Sequence, residues 1–153
     1  MKILEYFLVG AFAALGAVIV EIIIDAFREP FGLLKNWELT FLFVFVLVEE
    51  LAKLIVIRRK IDFQNALNTI LINCFWIGLG FGLLELGIFL MNESVLSAGN
   101  TPAITAVILV HIFTTLLTGL TLAQSKFNGS AAVLAFVPAL IVHLAFNYWT
   151  LIS

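Results

Sequence analysis

The chain has 153 residues, of which 63% are hydrophobic and 12% are charged, and its formal net charge at pH 7 is −2. Soluble domains contain about 45–50% apolar and about 25% charged residues. This composition, with a mean hydropathy of +1.16, therefore excludes an ordinary soluble domain and indicates an integral membrane protein whose first partner is the lipid bilayer. Because the sequence offers no basic face, we expect no nucleic acid as a partner.

Five apolar blocks follow one another along the chain, each about 20 residues long, which is the length that a helix needs to cross a bilayer. The predicted helices are 4–24, 39–57, 67–91, 103–123 and 131–152. They are joined at 28–32, 58–62, 92–102 and 126–129 by short segments with the composition of turns. We predict an all-α fold, a polytopic transmembrane helical bundle of about five spans, in one domain over residues 1–153 with its motif-bearing helices over 39–152.

Lysine and arginine outside the predicted spans indicate the orientation, since cytoplasmic loops carry an excess of both residues. The side of the N-terminus holds Lys2, the basic run 58–60 and Lys126, whereas the opposite side holds only Arg28 and Lys35. We expect the chain to lie in a prokaryotic cell membrane with a cytoplasmic N-terminus.

Ionisable groups interrupt four of the apolar blocks. They are Glu49-Glu50-x-x-Lys53, Phe81-x-x-x-Glu85, His111 and His143-x-x-x-Asn147. A charge at the bilayer centre costs at least about 2.5–3.5 kcal/mol, so such residues indicate a functional site. Counted at about 1.5 Å per residue from the predicted helix ends, the four segments bring their acid or imidazole groups to roughly 10–15 Å from the same side of the membrane. We therefore predict that they meet in one site.

Helical spacing limits how the two adjacent glutamates are used. Lys53 lies three or four residues from each of them, so it can reach either, while Glu49 and Glu50 diverge by about 100° around the helix. One glutamate is expected to face the centre of the cavity and the other to pair with Lys53. His143 and Asn147 share a face, where the amide would orient the imidazole or donate to an oxyanion.

Structural interpretations remain open for the same residues. The acidic pair with Lys53 would then be an ion pair that holds helices together, and His111 an interhelical hydrogen-bonding group. Gly78-x-x-x-Gly82 has the spacing of closely packed membrane helices. The remaining acids near predicted span ends are expected to be interfacial charges that reach water: Glu5, Glu21, Asp25, Glu38 and Glu93.

In their order along the chain, the four motifs resemble the PrsW-like intramembrane proteases, relatives of the CAAX prenyl proteases and bacterial abortive-infection membrane proteins. The resemblance covers about 39–149 and implies hydrolysis of peptide bonds in membrane protein or peptide substrates. It implies that Glu49 or Glu50 activates water with assistance from His111. His143 and Asn147 would stabilise the oxyanion, and Glu85 would orient a group or share a proton.

Lys53 and Phe81 would support this site, and no cofactor is favoured, because a glutamate can activate water without a metal. Zinc is the alternative, with His111, His143, Glu85 and either Glu49 or Glu50, of which we prefer Glu50, as its ligands. Two other functions stay open. One is a non-catalytic protein that binds or transports a cation or proton through the same cavity. The other is a degenerate relative that serves as an immunity or scaffold protein. The sequence does not indicate an oligomeric state.

Overall fold

The computed structural model describes residues 2–27, 37–91, 101–124 and 129–152, with side chains described over 2–27, 39–91, 105–124 and 134–150. Within these ranges it contains five helices: α1 Lys2–Ala26, α2 Trp37–Lys60, α3 Leu67–Leu90, α4 Thr101–Gln124 and α5 Gly129–Ile152. The predicted all-α bundle is confirmed. The predicted turns at 28–32, 92–100 and 126–128, and the side chains of Glu38 and Glu93, lie outside the described residues.

Predicted and observed helix bounds differ most at the end of α2, which runs to Lys60 instead of residue 57. The last turn of α2 contains Arg58, Arg59 and Lys60. Cationic side chains are favourable beside the unpaired carbonyl groups at a helix C-terminus. The helix therefore continues beyond the apolar block that marked it in the sequence.

Three helices in the described part of the chain are long and apolar enough to cross a membrane: α1, α3 and the segment Thr105–Gln124 of α4. Their outward side chains are large and apolar, as expected for contact with lipid; on α1, for example, Leu4, Phe12 and Ile22 are all more than 60% exposed. These features support an integral membrane protein. The spans assigned to α2 and α5 stay a prediction.

The helices form a closed ring in the order α1, α3, α4, α5, α2, in which each helix packs against its two neighbours. The sequential helices α2 and α3 are not neighbours in this ring and touch only weakly across its interior. Because four of the five helices carry one motif each, the ring turns those motifs toward a common centre.

Glycines set the spacing of α3 against both of its neighbours. A Cβ atom at Gly10 of α1 would overlap the main-chain oxygen of Ile77, and one at Gly80 of α3 would overlap that of Phe7. On its other side, α3 approaches α4 at Gly78, where a Cβ atom would lie 2.7 Å from the Cα atom of Ile112.

The close packing predicted for Gly78 and Gly82 is therefore confirmed, but its partner is α4. A Cβ atom at Gly82 would lie 3.0 Å from the Cα atom of Ile108. The approach brings α3 against the helix that carries His111.

The α1–α3 crossing makes a testable prediction about stability. Gly80→Ala is expected to lower the free energy of unfolding by at least about 1–3 kcal/mol, because the added methyl group meets the main chain of Phe7. Gly87→Ala is the matched control on the same helix: its Cβ atom would meet nothing within 4 Å, so helix propensity should stabilise it by up to about 1 kcal/mol. Reversible unfolding by denaturing detergent in mixed micelles measures both variants, and equal values would contradict a close crossing.

The core has an apolar end and a polar layer. The apolar end lies where α2 and α4 finish and α3 and α5 begin, and its buried members are Ile57, Ile61, Ile70, Cys74, Ile77, Leu122 and Ala135. Lys60 of α2 lies 3.8 Å from Glu5 of α1, so the basic end of α2 and the start of α1 are on this same side. The polar layer is displaced from it, toward the other end of the bundle.

Candidate functional site

Eight buried polar or charged side chains form the polar layer, and they come from α2, α4 and α5: Glu49, Glu50, Lys53, His111, Thr114, Thr115, Thr118 and His143. Glu85 of α3 adds a carboxylate that is partly exposed and touches His111. The structure therefore brings together the acids and imidazoles of four helices, as the depth comparison predicted.

Glu50 is the glutamate that pairs with the lysine. Its Oε1 atom accepts hydrogen bonds from Lys53 Nζ at 2.6 Å and from His143 Nδ1 at 2.7 Å. The Lys53 ammonium is completely buried. It also donates to Thr114 Oγ1 at 3.1 Å and lies 4.7 Å from the centroid of the Phe81 ring, within range of a cation–π interaction. One fixed charge pair thus ties α2 to α3, α4 and α5.

Glu49 points into a different part of the interior. Its side chain is only 11% exposed, and its Oε2 atom has no hydrogen-bond partner among the described residues. This atom lies 3.4 Å from His143 Nε2, whereas a charge-assisted N–H···O bond is about 2.7–2.9 Å long. Adjacent glutamates diverge around a helix, so only Glu49 remains available at the centre.

The position of the His143 proton follows from these contacts. The Glu50 oxygen that accepts from the Lys53 ammonium is part of a carboxylate, so His143 Nδ1 carries a hydrogen and donates it. In the neutral imidazole, the lone pair is then on Nε2, which faces the Glu49 carboxylate. Two electron-pair donors facing each other in a buried site require a proton or a cation between them.

His111 lies beside these groups and is entirely buried. Its ring centroid is 4.9 Å from that of Phe81 and 4.9 Å from that of His143, with the two imidazoles almost perpendicular. Its Nε2 atom touches Glu85 Oε2, and its Nδ1 atom is buried with no hydrogen-bond partner in the described part of the chain. A second imidazole nitrogen therefore lacks a protein partner at the same centre.

The donor atoms fit a divalent metal ion. One ligand atom each from Glu49, His111 and His143 lies within 4.8 Å of the other two. Zinc bonds of about 2.0–2.1 Å in tetrahedral geometry place ligand atoms about 3.3 Å apart, close to the 3.4 Å between Glu49 Oε2 and His143 Nε2. Two imidazoles, one carboxylate and an open position form one of the ligand sets of catalytic zinc.

The charges of the polar layer also favour a divalent metal ion at this point. The layer contains three carboxylates, those of Glu49, Glu50 and Glu85, but only the one ammonium group of Lys53 among its described residues. Ionised carboxylates without compensation are costly inside a protein. A divalent cation would offset the two charges left over. It would also give His143 the arrangement common at metal centres, in which the far ring nitrogen donates to a carboxylate, here Glu50.

The observed group differs from the preferred sequence-based metal set at two positions: it contains Glu49 in place of Glu50, and it does not include Glu85. Glu85 contacts this group through His111. The imidazole of His143 is held by Glu50 and faces Glu49, and Asn147, half-buried on the same helix, remains a predicted oxyanion donor.

Sequence reasoning missed two contributors. Glu21 had been expected to be an interfacial charge, but it lines a cavity together with Glu49 and Glu85. The available signal was the small-residue face of α1, where Gly10, Ala14 and Ala17 are buried and Glu21 continues the same helical stripe. Thr114 was also missed, because a threonine in an apolar helix gives no pattern of its own.

Comparison with known proteins identifies the family of this chain. A family model described as "PrsW family intramembrane metalloprotease" matches residues 2–153. No curated protein and no solved structure matches the chain. Since the family model spans nearly the whole sequence, the chain belongs to the PrsW family of intramembrane metalloproteases.

Proposed function

We propose that this protein is an endopeptidase that hydrolyses peptide bonds of membrane-associated proteins or peptides inside the bilayer. The observation that carries the proposal is the convergence of Glu49, His111 and His143 on one buried point. Glu50 orients His143 by a hydrogen bond to the far ring nitrogen, Nδ1. The order of the motifs further supports a relationship to the CAAX prenyl and abortive-infection membrane proteases.

Glu49, His111 and His143 would hold the metal ion, in place of the metal-free mechanism expected from the sequence. When bound, such an ion lowers the pKa of a water molecule to about 7 and polarises a carbonyl group. The fit rests on Glu49 Oε2 and the ring nitrogens of His111, which have no hydrogen-bond partner among the described residues, and on the spacing of one donor atom from each residue. Lys53 keeps Glu50 charged, and Glu50 keeps the His143 proton on Nδ1.

Glu85 is the carboxylate best placed to move protons. Its side chain is 30% exposed, lines the cavity beside Glu49 and touches His111. We assign it the general-base step: it accepts a proton as water attacks the peptide carbonyl carbon, and it returns that proton to the leaving amine as the C–N bond breaks. Asn147 of α5 would donate to the developing oxyanion.

Proteolysis by the purified protein in liposomes tests the proposal. A library of transmembrane peptides would be incubated with wild type and with His143→Ala, each with and without a zinc chelator, and the products identified by mass spectrometry. We expect cleavage that chelator abolishes and added zinc restores, and that His143→Ala lacks. Elemental analysis should find about one zinc per chain in wild type.

Two outcomes would redirect the assignment. Cleavage that is insensitive to chelator would return the site to the metal-free mechanism, with Glu49 as the base. If folded wild type cleaves no peptide but binds zinc through the same residues, the alternative of a non-catalytic cation-binding or transport protein would replace the protease.

A further inference from the structure

A cavity of about 220 Å³ lies between α1, α3 and α2, next to Glu49. Its walls are mainly apolar: Ala14, Ala17 and Val18 of α1 face Phe81 and Ile88 of α3. Alanines at 14 and 17 keep the α1 wall thin and leave this space open. Pockets for drug-sized ligands measure about 300–1,000 Å³, so this cavity suits a single side chain.

Three carboxylates enter this apolar cavity, and Glu21 is the one that the proposed chemistry does not use. Glu49 and Glu85 belong to the polar layer, whereas Glu21 comes from α1, which contributes nothing else to that layer. Glu21 Oε1 is buried without a hydrogen-bond partner among the described residues. No lysine or arginine is among the described residues that line the cavity.

Once the other charges are paired, Glu21 lacks a counter-ion among the described residues that line the cavity. A divalent cation together with Lys53 would offset Glu49, Glu50 and Glu85. The Glu21 carboxylate is then left with another carboxyl group, that of Glu49, as its side-chain neighbour and with no cation among the described residues that line the cavity. The cavity therefore accommodates one further positive charge, and its size and apolar walls suit a long, flexible stem carrying that charge.

A second cavity shows how such a group would arrive. It measures about 280 Å³, shares Val18 and Glu21 with the first, and is also lined by Ile22 and Asp25 of α1 and Phe45 of α2. Glu21 therefore stands where the two cavities meet. Together they lead along the α1–α2 face to Glu49, with acidic side chains on the way.

We propose that these cavities form a substrate subsite, in which Glu21 binds a lysine or arginine side chain close to the scissile bond of a peptide that enters along α1 and α2. The aliphatic stem of that side chain would lie against Ala14, Ala17 and Phe81, and its charged head would meet Glu21, the way that long cationic side chains divide between apolar and polar surroundings. The cleavage part of this assignment rests on the proposed protease function. Binding of the cationic side chain does not.

The test uses two fluorescent transmembrane peptides that are identical except for one position beside the cleavage site, which is lysine in one and the uncharged isostere norleucine in the other. Their dissociation constants would be measured by stopped-flow anisotropy in nanodiscs with the zinc-loaded protein, before turnover, and their kcat/KM under the same conditions. The variants are Glu21→Gln and a matched control, Glu5→Gln, which removes an exposed carboxylate from the other end of α1.

Wild type and Glu5→Gln are expected to bind the lysine peptide about tenfold or more tightly than the norleucine peptide, a ratio in the range of charged hydrogen bonds. Glu21→Gln should bind both alike. Glu21→Lys should instead favour a peptide with glutamate at that position, and a melting curve would show that each variant is folded.

Failure of the proposed subsite and failure of the proposed protease function would give different results. If wild type binds both peptides equally, the subsite is wrong, even where both peptides are cleaved and the protease assignment stands. If neither peptide is cleaved but lysine is preferred through Glu21, the binding site is supported and the proposed protease function is overturned.

Discussion

Replacing Glu49 with glutamine is expected to reduce kcat/KM for peptide cleavage by about 10³-fold or more, within the range for loss of a group that takes part in the reaction. The amide keeps the size of the side chain but removes the carboxylate that faces His143 and His111. Metal content should fall with activity. Single-turnover kinetics and elemental analysis on the same preparation measure both effects.

Glu50→Gln is the matched comparison at the neighbouring position. Its amide oxygen can still accept the His143 hydrogen bond. The expected decrease in kcat/KM is therefore about 10–100-fold, the range for a residue that hydrogen-bonds to a metal-binding histidine. Glu5→Gln, far from the site, should leave kcat/KM unchanged. If Glu50→Gln were the more damaging of the two site variants while remaining folded, the central role would move from Glu49 to Glu50.

Lys53→Met is expected to lower the free energy of unfolding by about 3–5 kcal/mol, since breaking a buried ion pair leaves an uncompensated charge. Lys53 has no exposed surface, and its removal would leave the Glu50 carboxylate with His143 as its remaining hydrogen-bond partner among the described residues. Methionine preserves the length of the stem, so lost packing contributes little. Denaturing-detergent titrations measure the change.

Lys60→Met is the control on the same helix, because the Lys60–Glu5 pair is about half exposed and separated by 3.8 Å. Its expected effect is about 0–1 kcal/mol. Combining Lys53→Met with Glu50→Gln should recover part of the loss, because the stranded charge is then gone. A double variant less stable than Lys53→Met alone would show that the ion pair is not the source of the effect.

The sequence was sufficient for the helices and for the set of polar groups that meet. Apolar block length determined the helix bounds to within three residues, the largest difference being at Lys60. Depth along each helix brought His111 and His143 to one level, and their rings are 4.9 Å apart. The length of a membrane-spanning helix and the depth of a residue along it both depend on the rise per residue, which is the same in every α-helix.

What the sequence left open depends on rotation and on neighbours. From the sequence, either Glu49 or Glu50 could face the centre of the bundle. The contacts of Lys53 and His143 with Glu50 show how α2 is rotated about its axis. The ring order was also not predictable from chain order, because α2 and α3 are joined by a short link and yet are not ring neighbours. Glu21 was not predicted as a site residue for the same reason, because its position beside Glu49 and Glu85 depends on which helices α1 packs against.

The glycine crossing between α1 and α3 has a mechanical consequence. Gly10 and Gly80 bring the two main chains into contact, so this point cannot slide without a clash and acts as a pivot for α1. Glu21 lies eleven residues beyond Gly10, which is a lever arm of about 16 Å. A rotation of α1 by about 10° around the crossing would displace Glu21 by about 3 Å. A small tilt of one helix would therefore widen or narrow the passage beside Phe45 while Glu49, His111 and His143 on the other helices stay in place.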